Sequence, residues 1–207
     1  MPMTMKKLLS IAGLGLFLLS VTPGLSCAGS AASTDNAPVE TKAVHVEEEA
    51  PVTIYLVRHG EKSDDDPRDP TLSEDGVNRA LQLARVLQDE DIDALFATPL
   101  KRTQDTVAPL AAAHDVAVTT IMDVEEQIQA LLALPAGATA VLAGHSNTVP
   151  ALIAGLGGEV SGTIAGRAGP QLADDSYDRF LVMVLSAPGT GTGPRLLRLL
   201  ELRYGQP

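Results

Sequence analysis

The chain has 207 residues, the length of one domain with an appendage, and its 15 Lys and Arg against 26 Asp and Glu give a formal charge of −11. So acidic a balance argues against an electrostatic grip on nucleic acid, which needs a basic face, and a 45% hydrophobic content excludes wholesale disorder. The single cysteine can form neither an intramolecular disulfide nor a Cys-type zinc site, and three Tyr, three Phe and no Trp leave the core to Leu, Val, Ile and Ala.

Lys6 and Lys7 precede an apolar run from Leu8 to Val21 that Pro23 and Gly24 break. A basic start, an apolar stretch and small residues after it predict a secretory signal peptide over 1–27. The run is shorter than the roughly 20 residues of a membrane-spanning helix. Gly24-Leu25-Ser26-Cys27 resembles a bacterial lipobox, except that Gly24 stands where that motif has Leu. Lipid attachment at Cys27 and ordinary cleavage after Ala28 are the competing readings. Either way the expected location is periplasmic or extracellular, with membrane contact only through a lipid on Cys27. Residues 28–50 are rich in Ala, Ser, Thr, Pro and Glu, and predict a solvated linker ahead of a domain at 51–207.

Within that domain Val52–Val57 is an apolar, β-branched run of buried-strand type. Ser73 caps a helix through about Gln88, with Val77, Ala80, Leu81, Ala84 and Leu87 at helical spacing. Ala94–Ala97 reads as a strand and Arg102–His114 as a helix with Val107, Leu110 and Ala111 inward. Val116–Ile121 predicts a strand, Val124–Leu134 a helix and Thr139–Ala143 a strand. A further helix starts near Asn147, tolerates Pro150 in its first turn and stops at Gly157-Gly158. Phe180–Ser186 and Arg195–Arg203 are closing strands. The alternation predicts an α/β fold, a three-layer α/β/α sandwich with a mainly parallel central sheet.

In such sheets ligands sit beyond the carboxyl ends of the strands. Arg58-His59-Gly60 follows the first strand and Gly144-His145-Ser146 the fourth. Arg102 opens the helix after the second. Two arginines and two histidines at one sheet edge of an acidic protein suit a phosphoryl group, since arginine offers a planar fork for its oxygens. The helix near Asn147 adds backbone donors. His45, in the linker, and His114, at a helix end, take the solvated or capping reading.

Rival motifs fail on inspection. Gly144-His-Ser-Asn-Thr148 lacks the second glycine of a nucleophile elbow, and no histidine follows. His59-Gly-Glu61 has zinc-deaminase spacing without a downstream Cys-x-x-Cys. Gly189–Pro194 lacks the Gly-Lys-Ser/Thr ending of a P-loop. Asp64-Asp65-Asp66 reads as a solvated acidic loop rather than a metal site.

Ile54-Tyr-Leu-Val-Arg-His-Gly-Glu61 resembles the signature of the histidine phosphatase superfamily, the phosphoglycerate-mutase-like fold. Thr98-Pro-Leu-Lys-Arg102-Thr-Gln-Asp-Thr106 resembles its second block and Val141-Leu-Ala-Gly-His145-Ser-Asn-Thr148 its third. Leu72-Ser-Glu-Asp-Gly76 fits the helix between the first two. The likeness covers about 51–203 and is nearest the small, phosphohistidine-phosphatase-like branch, which includes exported bacterial members. It implies that His59 is the nucleophile, forming a phosphohistidine, and that Arg58, Arg102 and His145 hold the phosphoryl oxygens. It implies no metal and no cofactor, a small phosphorylated substrate, and hydrolysis of a phosphomonoester or phosphoramidate.

The general acid departs from the family pattern. Candidates are Asp123, Glu125, Glu61 and Asp178, with Asp123 preferred because it follows the third strand directly. A surface carboxylate or helix-start residue is the competing reading of each. A phosphoglycerate-mutase-type phosphotransferase and a non-catalytic phosphate-binding module are the alternative functions.

Overall fold

The structure is a computed structural model that describes residues 49–187 and 193–205. The signal peptide at 1–27, the Cys27 anchor and nearly all of the 28–50 linker lie outside the described residues. Among those described, no helix is long and apolar enough to cross a membrane.

In chain order the elements are β1 (Val52–Arg58), α1 (Glu74–Val86), β2 (Ala94–Ala97), α2 (Lys101–His114), β3 (Val118–Thr120) and α3 (Val124–Leu132). β4 (Thr139–Gly144), α4 (Thr148–Gly155), β5 (Ile164–Gly166), β6 (Gly169–Gln171), β7 (Arg179–Leu185) and β8 (Leu196–Arg203) follow. Six strands form one sheet in the order β3-β2-β4-β1-β7-β8. The first four are mutually parallel, and β7 and β8 extend the sheet antiparallel from β1.

Alternation along the strands sends side chains to two cores. Ile54 and Leu56 of β1 pack with Ile128 and Leu131 of α3 and Leu152 and Ile153 of α4. Val57 joins Leu83 of α1 and Val107 and Leu110 of α2 on the opposite face. The fold is therefore the three-layer α/β/α sandwich expected.

α1 is rotated from its expected face. Ala80 and Leu87 are buried as expected, but Val77 and Leu81 are half exposed, and Gly76, Arg79 and Leu83 turn inward in their place. The cause is a close approach of α1 to the segment after β1. A Cβ on Gly76 would lie 2.2 Å from the carbonyl oxygen of Glu61, and one on Gly60 would lie 2.8 Å from that of Gly76. The Ser73 hydroxyl caps the helix by accepting the Gly76 N–H at 3.2 Å. With backbone on both sides, neither glycine can yield. Gly76→Ala is expected to destabilise by about 1–3 kcal/mol, the range for overpacking, read as a lower urea midpoint.

β3 is shorter than expected. Asp115 ends α2 in the left-handed region at φ 55°, and the Val116 N–H returns to the Ala111 carbonyl. Only Val118–Thr120 can then pair with the four-residue β2. The β5–β6 hairpin lies in the 158–176 segment, where no element was expected. Its turn brings Gly166 so near Gly169 that a Cβ there would sit 2.8 Å from the latter's carbonyl, and its small residues and Pro170 carry no strand alternation.

Candidate active site

The site starts from register. Arg58 of β1 pairs with Gly144 of β4, so the next residues, His59 and His145, leave the sheet side by side. The His59 N–H bonds the Gly144 carbonyl at 2.9 Å. The two imidazole centroids are 5.4 Å apart at 62°. Arg58 turns back over this edge, with Nη1 donating to the carbonyls of Ala173 (2.8 Å) and Asp174 (3.0 Å). One face of its guanidinium rests 4.1 Å above the Tyr177 ring, and that ring is 5.9 Å from His59.

The His59 Nδ1 lies 2.7 Å from the Gly60 carbonyl. A carbonyl only accepts, so Nδ1 carries the proton and Nε2 keeps its lone pair. Burial, then the charges of Arg58, His145 and Arg102, pull the His59 imidazole down from 6.5 to about 3, against an upward pull from the Gly60 bond. Burial, then Arg102 and Arg58, bring His145 down to about 4. Both rings are neutral at pH 7.

That neutrality has a sign. The unfolded chain binds more protons than the native one below about pH 6.5, so these histidines make stability fall as pH drops. A His59→Asn variant, with nothing to titrate there, is expected to lose less stability between pH 7 and pH 4 than the native protein, measured by urea midpoints.

Block two binds this pair from below. Thr106 of α2 accepts the Gly60 N–H at 2.9 Å while its hydroxyl donates to the Arg102 carbonyl at 2.6 Å. Thr98, fully buried after β2, places Oγ1 3.1 Å from Nε2 of His145. Arg102 stands in the first turn of α2, and its Nη1 is 3.9 Å from Asp69. Asp69 also accepts the Lys101 N–H at 2.9 Å, tying the loop after β1 to α2. The Nε atoms of Arg58 and Arg102 are buried and have no hydrogen-bond acceptor. The cluster therefore holds more donors than the protein itself satisfies, the condition for seating an oxyanion.

The structure gathers Arg58, His59, Arg102 and His145; the four candidate acids have other partners. Asp123 is exposed and caps α3, its carboxylate accepting the N–H groups of Glu125 (2.9 Å) and Glu126 (3.1 Å). Glu125 is exposed and accepts from Gln129 at 2.9 Å. Glu61 takes both oxygens to Arg79 Nε at 3.0 Å. Burial would raise the Glu61 carboxyl, but the Arg79 fork outweighs it and the net displacement is downward. Asp178 is held by Arg203 through both oxygens, at 2.7 and 2.6 Å.

Thr98, Thr103, Thr106 and Tyr177 were not singled out from the sequence. The threonines lie at 98, 103 and 106 around Arg102, a spacing that puts 103 and 106 on one helix face and so carried a signal. Tyr177 sits in an irregular segment and carried none. Among the described residues, no group of three or more His, Cys, Asp or Glu side chains is placed to hold a metal ion.

Residues 54–130 match the family model of the histidine phosphatase superfamily (branch 1). An uncharacterized protein of Mycobacterium tuberculosis, Rv0525, is 40% identical over 84 residues, 35% of this chain. The chain's match spans 39% of that relative's length. Among solved structures, a SixA-type protein from Nakamurella multipartita superposes with TM-score 0.51 at 22% identity, covering 74% of this chain and 98% of that one. A protein histidine phosphatase SixA complexed with tungstate gives TM-score 0.51 at 17% identity, covering 72% and 96%. The family match runs from β1 into α3, so residues 54–130 resemble the histidine phosphatase superfamily, and the sandwich around them has the fold of the SixA-type structures.

Proposed function

We propose that the protein is an exported, metal-independent phosphohydrolase that works through a phosphohistidine on His59. The observation that carries this reading is the neutral His59, its Nε2 lone pair free, among Arg58, Arg102 and His145. Nε2 attacks phosphorus, the bond from phosphorus to the leaving group breaks, and a water then attacks the phosphohistidine to release inorganic phosphate and His59. Arg58 and Arg102 stabilise the charge spread over the equatorial oxygens. One of the structures with this fold bears on the ligand only by its own chemistry: a SixA phosphatase holds tungstate, a phosphate-shaped oxyanion.

The substrate class follows from the carboxylates. With Asp123, Glu125, Glu61 and Asp178 all bonded elsewhere, none of these four candidate acids stands ready to protonate a poor leaving group. A phosphoramidate or acyl phosphate needs least help, and a phosphorylated histidine is the natural example. The connection from β3 to α3 is only Ile121–Asp123, which favours an open hydrolytic site over one that retains and reorients its substrate as a mutase must.

The test is to trap the enzyme with radiolabelled phosphoramidate, quench, and locate an acid-labile label on His59. A phosphate-binding module that does not turn over would bind tungstate and take up no label. Asp123→Asn separates the remaining question, because Asn caps a helix about as well as Asp and leaves α3 intact. It is expected to change alkyl and aryl phosphate hydrolysis alike. A loss of about 10²–10⁴ confined to alkyl substrates would instead make Asp123 the general acid.

A further inference from the structure

Thr103 has one hydroxyl proton and two carbonyls claiming it, Leu100 at 2.8 Å and Thr98 at 3.0 Å. Neither carbonyl can donate. The 2.7 Å contact between the Thr98 and Thr103 hydroxyls is therefore a bond donated by Thr98, which spends its only proton. What Thr98 Oγ1 then offers the His145 ring, 3.1 Å away, is a lone pair. The Nε2 of His145 must supply the hydrogen.

We infer that Thr98 is a positioning residue that fixes His145 as the Nε2–H tautomer and leaves Nδ1 as the ring atom available to the phosphoryl group. The inference rests on the proposed function for its purpose, but its geometry stands without it. The surrounding contacts make the arrangement rigid. Thr98 is fully buried, its carbonyl is also held by Gln104 Nε2 at 2.6 Å, and the His145 N–H is tied to Thr148 Oγ1 at 2.8 Å. The ring cannot flip without losing its bond to Thr98, nor can it take the Thr98 proton without breaking the Thr98–Thr103 bond.

The consequence concerns protons. A neutral ring with its hydrogen on Nε2 presents a lone pair from Nδ1, which repels a fully ionised phosphoryl oxygen. Binding an oxyanion there requires a proton on Nδ1, taken from solvent or brought as P–OH. The charged and titratable groups around the ring are Arg58 and His59 at the end of β1 and Arg102 at the start of α2. Both arginines stay charged, and His59 is already neutral with its proton committed to Gly60. His145 is thus the group that takes up the proton.

Nitrogen-15 NMR of His145 in the whole protein at pH 7 tests this directly. The native protein is expected to show a protonated Nε2 and a bare Nδ1, with Nδ1 becoming protonated on saturation with tungstate. Thr98→Ser, which keeps the hydroxyl, is expected to keep the pattern. Thr98→Val is expected to lose the tautomer preference and to lower kcat by about 10–100-fold, the range for removing a group that orients a functional histidine. An Nδ1–H tautomer in the native protein, or a Thr98→Val spectrum identical to it, would overturn the inference. Because the tautomer is read without turnover, a negative trapping result at His59 would overturn the proposed function and leave this assignment standing.

Discussion

Replacing His59 by alanine is expected to reduce phosphatase turnover by about 10⁴ or more, the loss that follows when a covalent nucleophile is removed. The ring is almost fully buried, its Nδ1 proton is committed to the Gly60 carbonyl, and its low pKa keeps Nε2 free of protons through mild acid. The remaining ring in the cluster, His145, leaves a different strand and is held through Nε2 by Thr98. The measurement is single-turnover kinetics with a phosphoramidate on variant and native protein. Turnover of pure His59→Ala within tenfold of native would dispose of the covalent route.

Arg102→Ala is expected to cost about 3 kcal/mol of transition-state stabilisation, a factor of roughly 10²–10³ in kcat/KM, as when one preorganised charged donor is lost. Its effect on folding is expected to be small. Among the described residues its one ion pair is the 3.9 Å contact with Asp69, and a pair that long contributes well under about 1 kcal/mol. Arg102→Lys restores the charge without the planar fork and is expected to recover only part of the loss. Unchanged kcat/KM in the alanine variant, with a native urea midpoint, would place Arg102 outside the pocket.

Much of this arrangement was legible in the sequence because two rules act together. Strand–helix alternation fixes which residues end parallel strands, and the chemistry of ligand binding gathers at those ends. Arg58, His59 and His145 follow from that alone. What the sequence hid was rotational and irregular. The inward face of α1 depends on two glycines, 60 and 76, meeting backbone to backbone, and apolar spacing cannot report that contact. The 164–171 hairpin is built from Gly, Ala and Pro, residues with little strand preference. Asp123 illustrates a third limit: an aspartate at the end of a strand is equally the first residue of a helix, and only the paired N–H contacts of Glu125 and Glu126 show where its oxygens go.

The pinning of Arg58 has an entropic meaning. An arginine free in solvent surrenders several rotamers when it closes on a ligand, and immobilising such a side chain costs about 0.5–1.5 kcal/mol. Here two carbonyls and the Tyr177 ring have already ordered the guanidinium, so that entropy is lost during folding rather than at each encounter. Oxyanion binding should then proceed with little rearrangement of this corner. Calorimetry with tungstate should show a smaller entropic penalty for the native protein than for Tyr177→Ala, in which only the two carbonyl contacts remain and part of the order has to be imposed by the ligand.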